Sequence, residues 1–280
     1  MFFAGSLGFL GALEIELIGG VNNFSFHPQS RMEHSDVRKF QAYPYGLLNL
    51  SFRGDLSNAL AFDISVDREN VLQNTITGTL ITRTDNFRFE FGLFAGISDN
   101  FDIPDAGITG IIELTLPGIG YLSFSGSSTL GSSFDFTSKN HRETAGIEIG
   151  YWYSENFILS ASAEIKSFSR YIGQYLTIRD QFIRYQFSIE YFKKNSPFTV
   201  RVDTGYETLS RTYLRGAMVN IDELSALFAG VEFNWQITHP IRIKAGIELP
   251  VFTIPAAPLA VDAGFLGFFK AYTGLTYSFF

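Results

Sequence analysis

The sequence predicts an all-β protein: one antiparallel up-and-down β-barrel of about fourteen strands (twelve to sixteen) crossing a membrane. Three observations predict it. Apolar and polar residues alternate over stretches of ten to fourteen positions, the period of a strand with one apolar and one polar face. A 3.6-residue stripe is not sustained anywhere in the chain. The connections between stretches alternate short and long, as turns on one side of a membrane and loops on the other require.

The chain opens on MFFAGSLGFLGAL, which is apolar but lacks the basic start of a secretion signal, the first basic residue being Arg31. Residues 1–12 are therefore expected to be either the remnant of a signal peptide ending near Ala12 or an apolar lead-in, and 13–280 a single barrel. Strands are expected at about 13–26, 42–55, 58–67, 73–83, 86–97, 107–116 and 120–130, then at 142–153, 157–168, 180–192, 197–209, 223–237, 240–250 and 265–279. The alternation is clearest in Phe87–Leu93 (FRFEFGL), Phe157–Lys166 (FILSASAEIK), Ile183–Tyr191 (IRYQFSIEY), Phe198–Asp203 (FTVRVD) and Ile241–Leu249 (IRIKAGIEL). Turn chemistry marks the short connections, as in Thr84-Asp85-Asn86, Pro117-Gly118-Ile119-Gly120, Ser154-Glu155-Asn156 and Thr238-His239-Pro240. Long loops are expected at 28–41, 98–106, 131–141, 169–179, 210–222 and 252–263, with 69–72 short where a long one is due.

Composition agrees. Phe, Tyr and Trp make up 16% of 280 residues. Charged residues are 18%, against about 25% in soluble domains. The net charge of -7 is mild and the bases are scattered singly, which argues against a nucleic-acid partner. The chain has no Cys, so thiol chemistry and disulfides are excluded. The longest charge-free run, 114–134, is broken by Pro117, Gly and Ser and does not make a spanning helix. A β-sandwich would not sort its loops by length, and an eight-stranded lipocalin-like barrel is too small.

The chain ends Thr273-Gly274-Leu275-Thr276-Tyr277-Ser278-Phe279-Phe280. The run of polar residue, glycine, two free positions, aromatic, free position, aromatic resembles the last strand of bacterial outer-membrane β-barrel proteins. In that family the barrel-assembly machinery reads this pattern. The resemblance makes Gly274, Tyr277, Phe279 and Phe280 an expected assembly signal. It implies a bacterial outer-membrane location, both termini periplasmic, and a monomer in contact with outer-membrane and lipopolysaccharide-type lipids.

Leu275, Tyr277 and Phe279 are expected to face lipid, and the opposite parity then defines an interior. Its acids are Glu14, Glu16, Asp63, Asp67, Glu90, Glu113, Glu148, Glu164, Glu190, Asp203, Glu207, Glu232 and Glu248. Its bases are Arg53, Arg83, Arg88, Lys166, Arg184, Arg201, Arg242 and Lys244. Thirteen acids against eight bases leave an excess of five. So many charges would be heavily penalised in a dry core and suit a water-filled one. At a tilt of about 40° and a spacing of ~4.8 Å, fourteen strands enclose a backbone diameter of ~28 Å.

Signals for catalysis are thin. His27, His34, His141 and His239 all fall in expected connections, with His141 near Ser138 and Glu143. Asp99, Asp102 and Asp105 offer hard oxygens without the glycine turn and terminal Glu of a calcium loop. No phosphate-binding glycine loop or HExxH pair occurs. No cofactor, metal site or enzyme activity is expected. The apolar, Pro-rich 249–261 is expected to be an outer loop that packs into the barrel mouth or against outer-leaflet lipid, the alternative being a hydrophobic ligand entrance or a lid. The leading expectation is a passive, weakly cation-preferring channel for ions or small polar solutes, similar to fourteen-stranded porins. One alternative resembles the fatty-acid-type outer-membrane transporters for hydrophobic compounds, without their N-terminal plug. Another is a barrel with a rim enzyme or adhesive loops.

Overall fold

The structure, a computed structural model, describes residues 11–22, 43–57, 59–69, 73–97, 105–130, 140–172, 176–192, 196–215, 218–255 and 269–279. Fourteen strands run in chain order: β1 (Gly11–Asn22), β2 (Tyr43–Ser57), β3 (Leu60–Glu69), β4 (Gln73–Arg83), β5 (Phe87–Ile97), β6 (Ala106–Leu116) and β7 (Gly120–Thr129). They continue as β8 (Asn140–Ser154), β9 (Phe157–Ile172), β10 (Leu176–Phe192), β11 (Phe198–Arg215), β12 (Met218–Thr238), β13 (Ile241–Pro255) and β14 (Lys270–Phe279). Each pairs antiparallel with its sequence neighbours, and β14 pairs with β1, so the sheet closes on itself. Over the span that all fourteen strands share, closure leaves no lateral edge, the condition a sheet must meet in hydrocarbon.

Alternation now has a direction. Leu17, Ile64, Leu80, Phe91, Leu93, Phe124, Ile149, Phe187, Val202, Val231, Ile247 and Leu275 are exposed and share the outward parity of their strands. They form an apolar belt. Near the short-turn end it is edged by aromatics in mutual contact, Phe157 with Tyr191 at 5.1 Å and Phe198 with Trp235 at 5.6 Å. Such a ring is what the boundary of a membrane barrel carries. Leu13 opposes Phe279, so the first and last strands both end on that short-turn side.

Three expectations about connections are corrected. The expected loops 169–179 and 210–222 are mostly strand: β9 and β10 continue to Ile172 and from Leu176, while β11 and β12 reach Arg215 and start again at Met218. Beyond the belt both faces of a hairpin meet water, so the apolar contrast that reveals a strand fades while β-branched and aromatic residues keep it extended. The expected apolar loop 249–261 is likewise strand as far as Pro255, paired with β12 from Leu224 to Phe228 through a bulge. Its remainder lies outside the described residues. The walls therefore differ in height, with 10 residues in β3 against 21 in β12.

Candidate functional site

The candidate site is the interior of the barrel. Two side chains show which face is concave. Arg184 on β10 reaches Glu248 on β13, past β11 and β12, through Nη1–Oε1 at 3.1 Å and Nη2–Oε2 at 2.6 Å. Arg142 on β8 reaches Thr75 on β4, past three strands, with Nη1 donating to Oγ1 at 2.9 Å. Contacts that skip strands cross the inside of a closed sheet, because its outside is convex. The charged parity of the sequence faces inward.

The wall of β8 to β14 carries two groups of charges. In the first, Arg184 holds Glu248, lies 3.4 Å from Glu207 and sits 4.1 Å from the centroid of Phe228. Gly205 allows this close layer, since a Cβ there would meet the Phe228 ring at 2.9 Å. Glu207 is 1% exposed, so its charge depends on these partners. The second group centres on Arg201. Its Nε donates to Asp203 at 2.7 Å and its Nη2 to Ser188 at 3.1 Å, and it stands in register between Glu190 and Glu232. Glu232 accepts from Lys244 at 3.1 Å and from the Tyr272 hydroxyl. Glu148 accepts from Tyr121 at 2.6 Å, and its charge acts on both Glu190 and Arg201. Acids outnumber bases there.

On the opposite wall Arg88 pairs with Glu90 and stands 4.0 Å from Glu113. Arg53 opposes Asp63, which accepts from Ser51 at 2.6 Å. Back on the first wall, Lys166 pairs with Glu164 of the same strand, β9, at 3.1 Å. Arg242 lies toward the turns, its Nε donating to Gln236 at 3.3 Å. The side chain of Asp67 lies outside those described.

Sequence reasoning missed the most enclosed pair. Asp105, just before β6, and Arg142 are 1% and 4% exposed, 3.1 Å apart, with the guanidinium 5.5 Å from the Phe94 centroid and 6.0 Å from that of Phe168. Arg142 shares its parity with Glu148, a signal that identifies it as inward. Lys270, opposite Glu248, and Asp180, in step with Arg184, also take the inward parity. Among the described residues, these two acids and two bases add no net charge to the interior.

Asp105 thus ion-pairs with Arg142, while Asp99 and Asp102 lie outside the described residues. Among the described residues, no group of three or more acidic or histidine side chains is placed to hold a metal ion. His141 is in β8 rather than a connection, and its Nε2 contacts Glu143 Oε1 at 2.9 Å on the outward parity. Ser138, His27 and His34 lie outside the described residues. In the terminal strand Gly274 faces inward, and a Cβ on it would meet Ile18 Cγ1 at 2.7 Å and the Leu17 carbonyl oxygen at 3.1 Å. Tyr277 and Phe279 are exposed on the outward parity with rings 4.4 Å apart. Phe280 lies outside the described residues.

A closed, antiparallel fourteen-strand sheet with an apolar belt and a charged interior defines the outer-membrane type of β-barrel. Comparison with a solved structure of TM-score above 0.5 agrees on the fold. An outer membrane channel from Pseudomonas putida F1 is 8% identical with a TM-score of 0.54, the match covering 96% of this chain and 95% of that one. In-vitro folded OmpT, an outer membrane protein of Vibrio cholerae, is 10% identical with a TM-score of 0.46, over 96% of this chain and 98% of that one. No protein-family model matches the sequence, and no curated protein matches it either.

Proposed function

We propose that the protein is an outer-membrane channel for passive diffusion of ions and small polar solutes, with a weak preference for cations. The observation that carries this reading is the interior itself, where charges from strands all around the barrel face a common space. Ionisable groups at that density need water and one another. A wet, charged interior suits polar solutes and opposes the partitioning of a fatty-acid-type ligand. The acidic excess, concentrated around Glu148, Glu190, Asp203 and Glu232, raises the local concentration of cations. Interspersed Arg and Lys cancel much of that field, so the preference is weak.

Both strand termini lie at the short-turn end, which supports periplasmic termini. The terminal strand supports recognition by the barrel-assembly machinery through Gly274, Tyr277, Phe279 and Phe280. The apolar belt fits insertion as a monomer among outer-membrane lipids, with lipopolysaccharide-type lipid around the outer part of the wall.

Single-channel recording in planar bilayers tests the proposal. Under a KCl gradient the reversal potential takes the sign of a cation-preferring pore, and its size grows as ionic strength falls, because the Debye length lengthens from about 8 Å at physiological salt. A pore strongly selective for anions, or folded protein with no conductance, refutes it.

A further inference from the structure

An alcove of about 250 Å³ opens into the interior on the wall of β4 to β9. Its lining is unlike the acidic group around Arg201. Six hydroxyls surround it: Thr75, Thr77, Thr109, Ser125, Ser127 and Thr144. Arg142 and Lys166 also line it, but each is matched by a carboxylate, Asp105 at 3.1 Å and Glu164 at 3.1 Å. The alcove is therefore balanced in charge and sets hydrogen-bonding groups around a larger apolar surface, to which Ile111 and the backbone at Gly110 and Gly126 contribute. Phe94 adds one aromatic surface.

We infer that this alcove is a binding subsite for a neutral polyhydroxylated solute of monosaccharide size. Each hydroxyl offers one donor and two acceptor positions. Ser127 and Thr144 are bonded to each other at 2.8 Å, Thr109 donates to the Gly126 carbonyl at 3.3 Å, and Thr75 accepts from Arg142 at 2.9 Å. These bonds hold the hydroxyls in place and leave further positions on the same oxygens for a ligand. A solute carrying several hydroxyls around a ring matches such a lining, because its hydroxyls both donate and accept while its C–H faces lie against Phe94 and Ile111. An anion gains little, since both cations are already paired, and a bare cation finds only one carboxylate, held by Lys166. Volume sets the upper limit. The alcove is smaller than the roughly 300–1,000 Å³ of drug-sized sites, so a single ring fits and a longer oligomer would extend into the open interior.

The subsite rests on the channel reading for its access to solute, and two measurements separate them. Conductance in planar bilayers reads the pore. Calorimetry of the detergent-folded protein reads the alcove, with glucose and myo-inositol as neutral probes and gluconate as the charged one. The expected result is glucose and inositol binding with gluconate weaker, and the same two neutral solutes causing reversible blocks of single-channel current. The double variant Thr109→Val/Thr144→Val keeps side-chain shape but removes two hydroxyls, and raises the dissociation constant about tenfold with KCl conductance close to that of the parent. Ser51→Val, a hydroxyl loss on β2 away from the alcove, leaves binding unchanged. Should the double variant fold poorly, as judged by heat-modifiable migration, Ser125→Phe fills the alcove from one inward position and abolishes binding. Conduction without any sugar binding overturns the subsite alone. Binding that survives both the double variant and Ser125→Phe overturns its location. Binding without conductance overturns the channel and leaves the subsite standing.

Discussion

At the scale of single residues, the most informative position is Arg142. It is enclosed by Asp105, Thr75, Phe94 and Phe168 from four other segments of the barrel. Removing one partner of a buried ion pair leaves a desolvated charge and costs about 3–5 kcal/mol. Asp105→Asn is therefore expected to lower the temperature at which the folded band converts to the unfolded one on gels, whereas Arg242→Gln, at a partly exposed site near the turns, leaves it in place. Gly274 carries a second, smaller prediction. A methyl there crowds Ile18 and the Leu17 carbonyl across the β1–β14 seam, and overpacking of this kind costs typically about 1–3 kcal/mol. Gly274→Ala should destabilise the folded barrel measurably even where a recognition pattern tolerates a small residue. Charge at single positions was legible from parity, as with Arg184 and Glu248, because alternation needs only neighbours in sequence. Their pairing was not legible, because it joins residues 64 positions apart over intervening strands. Arg142 was overlooked because it stands at the start of the expected strand 142–153, where the alternating run has barely begun.

At the scale of strands, the lipid-facing belt explains what sequence reading captured and what it lost. Strands β4 to β7 agree with expectation to within a residue at each end, because the whole of each strand lies in or beside the belt and carries its contrast. The ends of β9 to β12 were misjudged by up to six residues, since their outer halves extend past it. Leu93, 60% exposed on β5, lies within the belt. Leu93→Arg is expected to cost about 2–4 kcal/mol of folded stability in bilayers, the penalty for a base near the midplane, measured by denaturant titration in lipid vesicles. The same substitution in detergent-solubilised protein should cost less. Conversely, replacing 212–221 by an Asn-Gly hairpin should leave folding and heat-modifiability intact, because the described ends of β11 and β12 there lie beyond the belt. Loss of the barrel in that shortened variant would show that the tall wall is needed for closure.

For the molecule as a whole, the distribution of charge sets the expected transport behaviour. The acidic excess is not spread evenly: Arg201 stands among Glu190, Asp203 and Glu232, with Glu148 close enough to act on it. Converting Glu148, Glu190 and Glu232 together to Gln removes three of the five excess charges counted from the sequence and should move the reversal potential in a KCl gradient toward zero without changing its sign. Assembly is tested at the same scale. Replacing both Tyr277 and Phe279 by Ser removes two lipid-facing aromatics and the terminal pattern at once, and is expected to deplete the protein from the outer membrane while precursor is degraded. Normal surface levels of that variant would refute the assembly role.

The seam between β1 and β14 has a consequence for the order of events during folding. Ser278 Oγ donates to Glu14 Oε2 at 3.1 Å, joining residues 264 positions apart, and ten residue pairs follow the same register. Each other strand pair joins neighbours in the chain, so hairpins can zip as soon as both arms exist. The seam alone must wait for the whole cylinder to be present, at the largest entropy of loop closure the chain contains. Until then two open strand edges remain, each able to capture another chain. Folding thus becomes a race between ring closure and intermolecular pairing, and the last ten-residue strand to be synthesised decides which wins.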